Sequence, residues 1–219
     1  MANVIIFGAG KIAQLAHYYF IHDSEHNVVA FMVNKEYLKG DSYLGLPLFD
    51  ARDLIERYPP ESYRVFVALS YTGMNTPRAQ CFEYIKALGY NMVSYVSSRC
   101  ISLTKHPIGE NCFILESVTI QPFAKIGNNV MLWSGVTICH DTVIDDHCFI
   151  AAGSVVLGNT HVQQRCFIGA NATIRNSITV SEGTLVGAGS IVMEDTRLNS
   201  VYIPQHTNHI DKHSNDIHL

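Results

Sequence analysis

The sequence has little charge, one tryptophan and no long apolar run. Only 16% of its 219 residues are charged, against 47% that are hydrophobic. That balance excludes a disordered chain and supplies a sizeable core. Fifteen basic and nineteen acidic residues give a net charge of −4, and no basic run interrupts the sequence. A nucleic-acid partner is therefore not expected. The longest apolar stretches are a handful of residues, far short of the roughly 20 that cross a bilayer, so no membrane contact is expected. Met-Ala-Asn leads at once into Val4-Ile5-Ile6-Phe7. This opening lacks the basic start of a signal peptide, and a cytoplasmic protein is expected. Cysteine is present at Cys81, Cys100, Cys112, Cys139, Cys148 and Cys166, but never as CxxC. No thiolate metal site is expected, and the six thiols are expected to stay free.

What is there divides into two grammars. Residues 1–97 alternate short apolar runs with helical patterns. Strands are expected at Val4–Phe7, Val28–Val33, Arg64–Leu69 and Asn91–Val96. Helices are expected at Ile12–Ile21, at Asp50–Arg57 with Asp50 as its cap, and at Pro77–Leu88 before Gly89. This order predicts a Rossmann-like α/β domain with a small parallel sheet.

From Ile108 the pattern changes. Every sixth residue from Ile108 to Val192 (Ile114, Ile120, Ile126, Leu132 and onward) is Ile, Leu or Val, fifteen times in succession. Those types fill about one position in four, so the chance of the run is about one in 10⁹. Four residues after each stop stands a mostly small residue, such as Cys112, Ala124, Thr142 or Ser154, with Ile178 the bulky exception. Period six fits neither helix nor flat strand. It fits a parallel β-helix in which each hexapeptide turns one corner of a triangular prism and three make a coil. Residues 98–200 are read as this domain and 201–219 as a C-terminal tail. Such a prism leaves exposed faces, and a homotrimer is expected.

Residues 18 apart stack on successive coils. One corner column reads Pro122, His140, Gly158, Asn176; another reads Ser134, Ala152, Ala170, Ala188. His140 suits proton transfer, and Asp141 can orient the imidazole. Gly158 lies one coil away, roughly 5 Å along the prism, where a bare N–H could face an oxyanion. The alanine column would leave a shallow track for a long thin cofactor arm. The spacing alone also fits His140 as an ordinary polar corner residue. In the first half, Gly8-Ala9-Gly10-Lys11-Ile12-Ala13 reads as a phosphate cradle between strand and helix, or as no more than a tight turn. The acid that a dinucleotide site places about 20 residues later is missing; Phe31-Met32-Val33-Asn34-Lys35 stands there.

The six-residue repeat resembles that of the left-handed β-helix acyltransferases. Together with the opening Val4–Gly10, the stretch Cys139–Ile144 and Gly158-Asn159, it makes the chain similar to bacterial nucleotide-aminosugar N-acetyltransferases, often grouped as sialic-acid O-acetyltransferase-like. The resemblance implies an acetyl-CoA-dependent enzyme that requires no metal. It implies His140 as catalytic base with Asp141 as its partner, the Gly158 amide on the acetyl carbonyl, and the Ala170 and Ala188 amides along the pantetheine. It implies a nucleotide-sugar held by Gly8, Gly10, Lys11, Asn34 and Lys35.

Three departures stand out. A sugar-contacting His expected nine residues past His140 is Phe149, and an Asn expected seven before it is Trp133. The usual Pro-Ala ending is replaced by Val201–Gln205, followed by His206, His209, His213 and His218, read as a polar tail rather than a metal site. Rival readings are a sugar O-acetyltransferase, a non-catalytic trimeric scaffold, and a zinc enzyme built on His140, His147 and His161.

Overall fold

A computed structural model describes residues 1–205, Asp211 and His213. His206, His209 and His218 lie outside the described residues; His213 is exposed.

The first module is built on β1 (Asn3–Phe7), flanked in parallel by β2 (Asn27–Val33) and, as the chain continues through β3 (Ser42–Tyr43) and β4 (Leu46–Asp50), by β5 (Tyr63–Val67), in the order β3-β4-β2-β1-β5. Alternation along β1 sorts its side chains. Val4 and Ile6 pack with Ala13, Ala16 and Phe20 of α1 (Lys11–His22), while Ile5 and Phe7 pack with Phe82 and Ile85 of α2 (Thr76–Ala87). Between β4 and β5, Asp50 caps a short turn by accepting from the Arg52 N–H at 3.1 Å, and one helical turn, Leu54–Arg57, follows. The hairpin of β3 and β4 was not legible in the sequence, because its strands are short and carry Gly and Pro between them.

The strand expected at Asn91–Val96 is a correction. Met92 makes only an isolated bridge to Val65, and the strand proper, Tyr95–Val96, pairs with Phe113–Ile114 in the second module. Its aromatic-aliphatic character reads equally well as an end strand of either sheet.

The second module is a left-handed β-helix. Three parallel sheets of seven, six and four two-residue strands form its faces. Partners along the ladders are 18 residues apart, as in Thr137↔Val155 and Ile138↔Val156, except at the last pair, Leu185↔Val201 and Val186↔Tyr202. The stops of the repeat from Ile114 to Val192 point inward and are buried, and so do the residues four after them, from Cys112 to Ser190. The coil extends past the repeat at both ends. Ile101–Ser102 belongs to the six-stranded face, but Ser102 breaks the aliphatic run there. Val201–Tyr202 pairs with Leu185–Val186 after a shortened turn, within the segment expected to be tail.

The fourth residue of nearly every hexapeptide has φ between 52 and 73°, a left-handed corner that suits Asn, Asp and Gly. The two modules meet on the seven-stranded face, where Phe113, Met131 and Phe149 join the cluster beneath β1 and α1.

Candidate active site

His140 follows the six-stranded face and begins the corner that leads to the four-stranded one. Its N–H donates to Gln121 Oε1 at 3.0 Å, which fixes the backbone. Asp141 occupies the left-handed position, φ 57°, and this turn carries its carboxylate back to the imidazole. Asp141 Oδ2 lies 2.9 Å from His140 Nδ1. Both side chains are about half exposed, at 56% and 47%. A carboxylate on Nδ1 favours the tautomer with hydrogen there and leaves Nε2 as the basic nitrogen.

On the next coil, Gly158 lies directly beneath the ring. A Cβ at this position would stand 2.7 Å from both Cε1 and Nε2, so glycine is what lets the imidazole approach the backbone. Gly158 is buried, and among the described residues its N–H donates to no acceptor. His140, Asp141 and Gly158 are thus brought together. Cys139 points away from them, is buried, and has its thiol pushed up by desolvation.

Ala170 and Ala188 are not brought to that corner within one chain. They stand one coil apart where the seven-stranded face turns into the six-stranded one. Their N–H groups have no acceptor among the described residues. The six-stranded face separates the two corners. Its outward side chains include Ile101, Leu103, Ile191 and Met193, each at least 56% exposed. The four-stranded face carries instead Lys125, Val143, His161 and Thr179, with His161 Nε2 paired to Asp145 Oδ2 at 2.8 Å. His147 is buried at the third corner, against Phe82 of α2. His140, His147 and His161 therefore face different sides of the prism. Among the described residues no group of three or more His, Cys, Asp or Glu is placed to hold a metal ion.

The first module carries a cleft of about 580 Å³ at the carboxyl ends of β1, β2 and β5. The chain reverses its lateral direction between β1 and β5, and open α/β sheets bind ligands at such points. Gly8, Gly10 and Asn34 line the cleft. Gly8 has φ 129°, and a Cβ there would approach Ala68 O to 2.9 Å. No side chain caps the start of α1, which leaves its first N–H groups free for an anion. Lys11 and Lys35 lie elsewhere. Lys11 borders a second groove with Gln14, Tyr18 and Leu44, because the first turn of α1 carries it off the cleft side. Lys35 is exposed, and its charge helps hold the Asp50 carboxyl below its ordinary range, behind the Arg52 hydrogen bonds. Glu36, Tyr37, Lys39, Ser70 and Thr72 also line the cleft. These come from loops outside any periodic pattern, and the sequence carried no signal for them.

The modules are held together by a buried polar ladder. Arg78 of α2, fully buried, donates to the Asn129 carbonyl, to Asn75 Oδ1 at 3.0 Å, and to the His147 and Cys148 carbonyls at 3.0 and 3.3 Å. Desolvation pushes its pKa down to about 10. Asn111 links Val67 of β5 to Asn129, which reaches His147 Nδ1 at 2.9 Å.

Fold and corner geometry together define a hexapeptide-repeat left-handed β-helix protein with a Rossmann-like first module. Sequence comparison agrees. Residues 108–140, 123–158 and 141–176 match the bacterial transferase hexapeptide (six repeats), and residues 162–194 match the hexapeptide repeat of succinyl-transferase. No curated protein matches the sequence. Among solved structures, the acetyltransferase domain of PglB from Neisseria gonorrhoeae is similar over 93% of this chain and 97% of its own, at 21% identity and a TM-score of 0.79. PerB from Caulobacter crescentus, in complex with CoA and GDP-perosamine, is similar over 93% and 95%, at 22% identity and 0.81. WeeI from Acinetobacter baumannii is similar over 92% and 96%, at 21% identity and 0.76. These likenesses span both modules and establish the fold, including the left-handed β-helix expected from the repeat. Among the described residues no helix is long and apolar enough to cross a membrane.

Proposed function

We propose that this protein is an acetyl-CoA-dependent N-acetyltransferase of the cytoplasm, acting as a homotrimer on the amino group of a nucleotide-linked aminosugar. The observation that carries the reading is the corner itself: an imidazole oriented by Asp141 on Nδ1 and lying against a glycine whose N–H is free. PerB, similar over nearly the whole chain, is in complex with CoA and GDP-perosamine, and that pairing of ligands supports the choice of substrates.

The six-stranded face, which shows Ile101 and Leu103 at one end and Ile191 and Met193 at the other with Thr119, Thr137, Thr173 and Arg175 between, is the self-association surface in this reading. Its two edges are the His140–Gly158 corner and the Ala170–Ala188 corner. Packing such faces around a threefold axis sets the imidazole of one chain beside the alanine track of the next. The pantetheine arm runs along that track, hydrogen-bonded by the Ala170 and Ala188 amides. The nucleotide occupies the cleft of Gly8, Gly10, Asn34 and Lys39.

The reaction is direct. The sugar amine attacks the thioester carbon while His140 Nε2 removes its proton, and Asp141 steadies the imidazolium. The tetrahedral oxyanion accepts a hydrogen bond from Gly158 N–H. Collapse breaks the C–S bond, and the CoA thiolate recovers the proton from the imidazolium. No protein nucleophile takes part. His140→Ala should lower kcat by about 10²–10⁴ with an unchanged melting curve and unchanged CoA binding. Near-normal turnover in that variant refutes the assignment.

A further inference from the structure

The cleft and the alanine corner are separated by an aromatic surface that neither employs. Phe149 and Phe167 stack on adjacent rungs of the seven-stranded face, with centroids 5.4 Å apart and planes at 18°. Trp133 lies beside Phe149 at 5.7 Å. Tyr71, from the loop after β5, meets both phenylalanines at an angle, its centroid 4.9 Å from Phe149 with planes at 68° and 4.8 Å from Phe167 with planes at 50°. Phe149 is buried under this arrangement, Trp133 and Phe167 are half-buried, and Tyr71 remains 51% exposed.

Position gives the surface its meaning. Ser70 and Thr72, on either side of Tyr71, line the cleft. Trp133 immediately precedes Ser134, and Phe149 comes three residues before Ala152, both at the alanine corner. These rings lie between Ser70 and Thr72 of the cleft and Ser134 and Ala152 of the corner, where a ligand joining the two would pass. Apart from the Tyr71 hydroxyl, the ring atoms of this surface offer such a ligand few hydrogen bonds. The Trp133 Nε1–H is buried and has no partner among the described residues, and the phenylalanines offer only faces and edges.

Resting on the proposed function, we infer that Tyr71, with Trp133 and Phe167, is the platform that positions the acceptor sugar, holding the ring by stacking rather than by hydrogen bonds. The substrate class it selects is a nucleotide-linked hexose that turns a face of C–H bonds toward the rings. Carbohydrate C–H groups are weakly positive and aromatic faces weakly negative, so such a face is attracted to the rings while hydroxyls stay on the solvent side. Tyr71 acts as a specificity-determining residue. It joins the nucleotide loop to the prism, so an occupied cleft and an occupied platform are adjacent along one short segment.

The single tryptophan makes this testable, because all indole emission comes from Trp133. UDP, GDP and dTDP are titrated alone and as UDP-glucose, GDP-mannose and dTDP-glucose, with CoA present. The expected result is that the sugar conjugate of whichever nucleotide binds changes Trp133 emission, while the free nucleotide binds without doing so. Tyr71→Ala should weaken the conjugate about tenfold and leave the free nucleotide within about twofold, and Tyr71→Phe should restore conjugate binding. Equal affinity of wild type and Tyr71→Ala for the conjugate, with nucleotide binding intact, overturns the platform and spares the proposed function. Failure of every nucleotide and conjugate to bind, by fluorescence and by calorimetry, overturns both.

Discussion

The imidazole of His140 rests on the Cα of Gly158, with room for a hydrogen and none for a methyl group. Gly158→Ala would place a Cβ 2.7 Å from the ring, so the ring must swing away. Asp141 would still hold Nδ1, but Nε2 would leave its place above the free N–H. The expected loss is about 10²–10⁴ in kcat, the scale of losing a positioned general base. KM for acetyl-CoA and the melting temperature should barely move, because the half-exposed ring can swing into solvent and the backbone hydrogen bond from Ser177 N–H to the Gly158 carbonyl is kept. Steady-state kinetics beside thermal melts check this.

Among the described residues Arg78 has no carboxylate partner, although it is wholly buried. Carbonyl and amide oxygens of Asn75, Asn129, His147 and Cys148 take the place of one. Its role is to tie α2 to the third corner of the prism. Arg78→Met would remove the charge and leave the Asn129 and His147 carbonyls without their donor, while the Cys148 carbonyl keeps the Met131 N–H. The expected cost is about 1–3 kcal/mol for each carbonyl left unsatisfied, and each kcal/mol lowers the melting temperature by about 2–4 °C for a chain of this size. Calorimetry should show the single transition broaden or split as the modules uncouple. Arg78→Lys cannot reach several carbonyls at once and should recover less than half of the loss.

The prism was legible because its rule is one-dimensional: an inward aliphatic residue every six positions fixes the coil, the stacking and the neighbours of His140. The columns followed by arithmetic, and so did the juxtaposition of His140 with Gly158. Legibility ended where the rule ended. Ser102 interrupts the run by one position and hid the first coil, and Val201 joins the seven-stranded face after a shortened turn. Lys39, Tyr71 and Arg78 act through contacts made by loops and by a helix across the module boundary, which no local period encodes. The glycine turn was readable as a cradle, but which lysine faces it depends on the phase of α1 and on the loop after β2. Hence Lys11 and Lys35 were expected at the cleft and Lys39 was not.

His147 gives stability a pH dependence. Burial pushes its pKa below the ordinary 6.5, and Asn129 occupies its Nδ1. The unfolded chain takes up a proton near 6.5 that the folded chain resists. Unfolding therefore gains a proton as the pH falls below 6.5. The stability is fully present above that value and declines below it, levelling off once the pH passes the depressed folded value. His17 and His26, also lowered by burial, add to the same slope. Urea midpoints between about pH 8 and pH 5 should fall with acid. His147→Gln should make the decline shallower without abolishing it. An unaltered slope in that variant would show that the ring ionises freely in the fold.

The six-stranded face carries the last prediction. Ile191 is 69% exposed and Met193 56%, on a flat surface that also shows Ile101 and Leu103. A fully buried aliphatic side chain contributes about 1.5–3 kcal/mol, so several of them facing water on one plane favour association. Ile191→Glu with Met193→Glu would instead force two carboxylates into the contact. If the proposed trimer forms, the subunit dissociation constant should rise at least about a hundredfold, or about 2.8 kcal/mol, and sedimentation should show the variant as a monomer at concentrations where the wild type assembles. Neither side chain points into the prism, so the monomer should keep its circular dichroism. Its turnover should nonetheless collapse, because the His140 corner and the alanine corner lie at opposite edges of this face and, in the proposed trimer, meet between chains. Lys125→Glu, on the four-stranded face, is the control and should change neither mass nor rate. A double variant that sediments as a monomer yet still turns over would mean that both corners serve within one chain, and a wild type that is itself monomeric would remove this face from the mechanism.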